Sequence, residues 1–160
     1  MDENGPPLYG IKLAAIQPTI LNYPSEEIQI LCRTKQGNTA ESRSLDQGRS
    51  WSRMVLLELP NPDSGVDGVV RNDGRGLLVY NHSKRKRSPL NVAISHDEKN
   101  WSMSRTLEDR VGEYFYPSVI QTSDEMVHIV YTWNRRRIKH VVVDPFQELF
   151  VIGDDIGDSS

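Results

Sequence analysis

The chain has 160 residues, 19 Lys+Arg against 22 Asp+Glu, a formal net charge of −3 and one cysteine, Cys32. That length sets one domain or part of one, and the charge lacks the basic excess of a nucleic-acid binder. A lone cysteine excludes an intrachain disulfide and a cysteine-built zinc cluster, and no run approaches the ~20 apolar residues of a membrane helix. The histidines at 82, 96, 128 and 140 are scattered, so neither a metal nor a cofactor is expected. The opening segment MDENGPPLYG is acidic and proline-rich and reads as neither a secretory signal nor a transit peptide. Compartment stays open, a single cysteine being compatible with the cytosol.

Along the chain one pattern recurs three times. The first unit runs from Gln17 through the turn NYPSEE to Arg33, with a third strand expected at Asn38–Ser44 and a fourth at Met54–Leu59. The second runs from Asp67 through RNDGRG to Asn81, then Leu90–Ser95 and Met103–Leu107. The third runs from Tyr116 through TSDE to Thr132, then Ile138–Val143 and Glu148–Ile152. The turns carry the Pro, Asp and Gly chemistry of hairpin loops. Helical periodicity is absent.

The starts at 17, 67 and 116 set a period near fifty residues. The expected fold is therefore all-β: three four-stranded antiparallel blades at about 16–60, 66–109 and 116–152, with tails at 1–10 and 153–160. Four strands in each repeat of ~40–50 residues is the unit of a β-propeller, whereas a β-sandwich gives no reason for the period. Three blades cannot close a ring. Missing blades or a second copy of the chain would complete it.

Two copies share a second signature between their third and fourth strands. Ser44, Asp46, Gly48 and Trp51 stand in SLDQGRSW, and Ser95, Asp97 and Trp101 stand in SHDEKNW, one residue shorter. Ser and Asp can fold back onto local backbone N–H groups, Gly permits a positive φ, and Trp packs under the turn. This resembles the Asp-box of the sialidase superfamily, where the motif has a structural role. The likeness extends from about Gly10 to Pro145 through DGRGLLVYN, RSPLNVAIS and YPSVIQTSDEMVHIVYTWNRRR, and is to the C-terminal half of sialidase-like BNR-repeat proteins. The resemblance implies three blades of a six-bladed propeller.

It also implies a site. Repeat alignment sets Gln17, Asp67 and Tyr116 at equivalent strand starts facing the central channel, where polar groups require water or a ligand. In the family a tyrosine is the nucleophile, a glutamate takes its proton, arginines clamp the substrate carboxylate and an aspartate is the acid/base. Tyr116 matches the nucleophile, Arg33 the second arginine and Arg87 the third, with Arg85 as fallback. Gln17 occupies the slot of the activating glutamate, and an amide cannot accept a phenol proton. Glu113 is the carboxylate that could substitute. Asp67 and Asn81 are expected to orient substrate, and Trp133, Arg135 and Arg137 to rim the pocket. The family's first arginine and acid/base aspartate precede this chain, so the set is incomplete.

The leading expectation is a sialidase-like exo-glycosidase acting on terminal sialic acid or related 2-keto acidic sugars. The alternatives are a non-catalytic binder of acidic sugars on the same scaffold and a protein-interaction platform. The expected partner in the first two is an acidic sugar or glycoconjugate.

Overall fold

A computed structural model of the chain describes residues 12–146 and 150–156. The first expected tail, residues 157–160 of the second and the start of the expected last strand at Glu148 lie outside the described residues, while residues 153–156, expected in the tail, belong to the last strand. Among the described residues twelve strands form three antiparallel sheets, each in chain order. The first blade is β1 (Ala15–Asn22), β2 (Ile28–Thr34), β3 (Asn38–Ser44) and β4 (Val55–Pro60). The second is β5 (Asp67–Val70), β6 (Gly76–Tyr80), β7 (Leu90–Ser95) and β8 (Trp101–Glu108). The third is β9 (Tyr114–Gln121), β10 (Val127–Trp133), β11 (Arg137–Val143) and β12 (Phe150–Ile156). No helix occurs among the described residues, and thus none long and apolar enough to cross a membrane.

Side chains alternate between the faces of a strand, and the middle blade uses both faces for core. Leu78, Tyr80 and Ala93 pack toward the first blade, against Leu21, Tyr23, Leu31 and Leu59. Leu77, Val79, Leu90 and Val92 pack toward the third, against Val119, Val127, Ile129 and Tyr131. Every residue of β6 and β7 is accordingly buried. This explains the unbroken apolar run of GLLVY, where a half-buried strand would alternate. The first and third blades each have one covered face. On their outer faces Ile20 is 63% exposed and Ile120 57%.

β5 lies between β1 and β9, so the three innermost strands run side by side. Asp67 joins them. Its Oδ1 accepts from the Thr19 hydroxyl at 2.7 Å and its Oδ2 from the Val119 N–H at 2.8 Å. One carboxylate thereby ties all three blades together near the axis.

The two Asp-boxes close the turns β3–β4 and β7–β8. In the first, the Ser50 N–H and hydroxyl donate to Asp46, and the Gly48 N–H donates to the Ser44 hydroxyl, which itself donates to Asp46. These bonds hold the Asp46 carboxyl down at about 2. Asp97 accepts from the Lys99 and Asn100 N–H groups and from the Asn100 side chain, and is lowered likewise. Asn100 does in the shorter box what Ser50 does in the longer one. Trp101 packs into the interface of the first two blades, whereas Trp51 is 41% exposed. The difference follows from position, since Trp51 adjoins Ile28 at Gly48, on the face of the first blade that no other blade of this chain covers.

Candidate functional site

One rim of the blades gathers the turns β2–β3, β6–β7 and β10–β11 with the connections β4–β5 and β8–β9. The link between its neighbouring blades is direct: the Tyr114 N–H donates to the Arg87 carbonyl at 2.9 Å. Within this rim Gln17 and Tyr116 converge. Both have φ of 52°, both precede a proline, and both sit at a bulge. In β1, Ile16 pairs with Arg33 and Pro18 with Cys32, leaving Gln17 as the extra residue. In β9, Tyr116 and Pro117 together oppose Tyr131. A bulge turns a side chain out of the alternating pattern of its strand, and proline tolerates the lost ladder bond. Tyr116 is consequently half exposed, at 51%.

The space between the two is kept by Gly65. A Cβ there would stand 3.2 Å from the Tyr116 ring and 3.6 Å from the Gln17 Oε1. Gly65, not Asp67, thus holds the mouth position of the middle blade. Asp67 lies two residues deeper, level with Thr19 and Val119, with both oxygens engaged by the protein. Its place as an aligned strand start is corrected accordingly: β5 has no X–Pro bulge to shift the count. Asn81 is engaged through its amide nitrogen, while its Oδ1 is buried without a hydrogen bond. It is 1% exposed, and its amide donates to the Pro89 and Tyr114 carbonyls at 3.0 Å each. It fixes the entry of β9 beneath Tyr116.

Arg33 borders this mouth through its pairing with Ile16. Its Nε stands 3.3 Å from the Asp63 Oδ1, and both atoms are buried without a hydrogen bond. Asp63 itself has φ of 58° in the connection that leads to Gly65. Arg87 lies 4.7 Å from the centre of the Phe115 ring, which meets Tyr116 edge-on at 5.0 Å. Arg135 lies over the same ring at 5.5 Å. The structure therefore brings Tyr116, Gln17 and Arg87 together through two intermediaries, Gly65 and Phe115. Sequence reasoning missed both, along with Asp63. The turn PNPDSGV, rich in Pro and Gly just before the second repeat, was the available signal.

Glu113, the alternative base, is committed elsewhere. Its Oε2 accepts from the Arg135 Nε at 2.6 Å, and this bond holds the carboxyl below its ordinary range. A carboxylate so stabilised is a poor proton acceptor. Arg137 lies 4.3 Å from the Trp133 ring centre. Beside them Glu108, Arg110, Tyr114 and Lys139 complete a cleft of ≈ 260 Å³.

Three tandem four-stranded blades, a polar mouth at the head of the inner strands and Asp-box turns at the far ends define a β-propeller architecture. The match of residues 4–129 to the BNR repeat-like domain places the chain in that family, to which it belongs. No curated protein sequence matches it. Among solved structures, the leech intramolecular trans-sialidase, in complex with 2,7-anhydro-Neu5Ac, is similar at 18% identity and a TM-score of 0.61, over 71% of this chain and 20% of that one. The intramolecular trans-sialidase of Ruminococcus gnavus is 20% identical with a TM-score of 0.60, over 81% and 30%. The α-L-arabinanase of Penicillium chrysogenum is 14% identical with a TM-score of 0.66, over 92% and 50%. The chain thus spans between a fifth and a half of the length of these proteins, and at such identities the likeness is one of fold.

Proposed function

We propose that this chain forms the part of a sialidase-like propeller that receives a terminal 2-keto acidic sugar, with Tyr116 at the anomeric centre and Arg33 and Arg87 on the carboxylate. The observation that carries the reading is the paired bulge. It aims a phenol and an amide at one gap, with Arg87 one ring away on Phe115 and Arg33 paired to the residue before Gln17, in a fold shared with trans-sialidases. Arginine suits the carboxylate because its planar fork donates two parallel bonds.

A specific observation also favours the binding alternative over turnover. Gln17 offers no base, and Glu113 is held by Arg135. General acid–base help is worth about 10²–10⁴-fold, so this mouth binds better than it hydrolyses. Titration of the full chain with a sialic acid glycoside tests both points. The Arg33→Gln variant should weaken binding about tenfold or more, charge-assisted bonds being worth ~1.5–3 kcal/mol. Tyr116→Phe should leave binding nearly unchanged while removing any residual glycoside release. Unaltered affinity in Arg33→Gln, or unaltered release in Tyr116→Phe, would overturn the assignment.

A further inference from the structure

The net charge of −3 conceals two rims of opposite sign. On the rim of the mouth, the turns at 35–37, 81–89 and 134–136 and the first residue of β11 hold Lys35, the run Lys84 to Arg87, and Arg135 to Arg137, and the connections at 61–66 and 109–113 add Arg110 against Asp63, Asp109 and Glu113. On the opposite rim, the hairpin turns at 23–27, 71–75 and 122–126 hold Glu26, Glu27, Asp73, Asp124 and Glu125 against Arg71 and Arg75. The basic turns come from all three blades, so the positive charge forms an arc around the mouth rather than a spot.

The arc is also built, not loose. The Ser83 hydroxyl accepts from the Arg85 and Lys86 N–H groups, at 3.2 and 3.0 Å, and shapes the longest turn. The Lys84 stem lies beside Gly37 of the neighbouring blade, 3.7 Å from where a Cβ would stand. Arg87 and Arg135 are fixed on Phe115 and Arg137 on Trp133. Among the described residues no ion pair involves Lys84, Arg85, Lys86 or Arg136. A single acidic sugar at Tyr116 has one carboxylate and cannot use such an arc.

We propose that this rim is a track for an acidic oligosaccharide with an anionic group, carboxylate or sulfate, on successive sugar units, running outward from the mouth. This rests on the reading of the mouth given above, which takes the terminal unit. A glycan is favoured over a nucleic acid because a run of bases needs several free rings to stack on. On this rim Phe115 is buried under two arginines and Trp133 carries Arg137, and the half-exposed Tyr116 is the ring that the terminal sugar meets. Exposed charges on separate turns act at long range and add, and their effect is screened by salt within ~8–10 Å.

The test titrates the full chain with a sialic acid methyl glycoside, its linear tetramer, a sulfated tetrasaccharide and a single-stranded oligonucleotide of equal charge. At low salt one tetramer should bind about tenfold tighter than the single glycoside, several weak exposed ion pairs together amounting to that ratio. Preference between the two tetramers identifies carboxylate or sulfate as the source of the charge. The triple variant Lys84→Gln, Lys86→Gln, Arg136→Gln should lose this gain, keep the affinity for the single glycoside and unfold at the same denaturant concentration. Tetramers no tighter than the glycoside, a gain that survives in the variant, or an oligonucleotide that outcompetes both glycans would each overturn the track. Tetramer binding without glycoside binding would instead overturn the mouth and keep the rim.

Discussion

On the proposed reading, Gln17 decides what chemistry the mouth can do. Its Oε1 lies across Gly65 from Tyr116, where a carboxylate would be placed to draw the phenol proton. An amide oxygen accepts a hydrogen bond but does not take the proton away. Gln17→Glu changes one functional group at nearly constant volume and should raise glycoside release by about 10²-fold or more, the scale of general base help. The measurement is single-turnover release by the full chain, and no gain would count against the phenol as nucleophile. Asp67 teaches the opposite lesson at the same scale. It looks like a site residue in sequence because it is acidic and begins a repeat, yet its two oxygens join three strands. Nothing in a single sequence separates a carboxylate that meets ligand from one that meets backbone N–H.

Turns and bulges are where elements acquire their roles. The Asp-boxes were legible because their function is local: Ser, Asp and Gly at fixed offsets satisfy one another's backbone within a few residues. Their contribution has a pH signature. The Asp46 carboxyl titrates at about 2 in the folded chain, below its ordinary value of 3.8. A group lowered by folding stabilises fully above the unfolded value and loses that contribution as pH falls through the folded one. Asp46→Ala should therefore lower the denaturant midpoint at neutral pH, and the gap from the parent should close between about pH 4 and pH 2. A gap constant over that window would show that the box does not act through its charged form. The bulges at Gln17 and Tyr116 were only half legible. Proline after each residue is visible, but the positive φ that aims the side chain depends on pairing with a strand more than ten residues away.

Across the whole molecule, burial grades from the centre outward. The period near fifty gave the three blades and their strand order, since hydrophobic alternation and turn chemistry repeat with it. The unbroken apolar run of β6 is the mark of the central blade, a sign the sequence reading did not use. The meeting of turns at one rim could not be read from sequence, because it depends on how neighbouring sheets lean on each other. Leu78→Ala removes a side chain with no exposed surface and should cost ~2–5 kcal/mol in chemical denaturation. Ile120→Ser, on the outer face of the third blade, should stay within about 0.5 kcal/mol. Amide exchange should be slowest in β6 and β7. Equal costs at the two sites would mean that the outer face is covered in solution.

The X–Pro bulge has a consequence for how such a mouth changes over time. Because kink and proline set the direction, the residue before the proline contributes only its chemical identity. A phenol stands on one strand and an amide on the other at the same backbone angle. Aim and reactivity are inherited separately, so one codon can retire or restore a reactive group while the surrounding architecture persists unaltered.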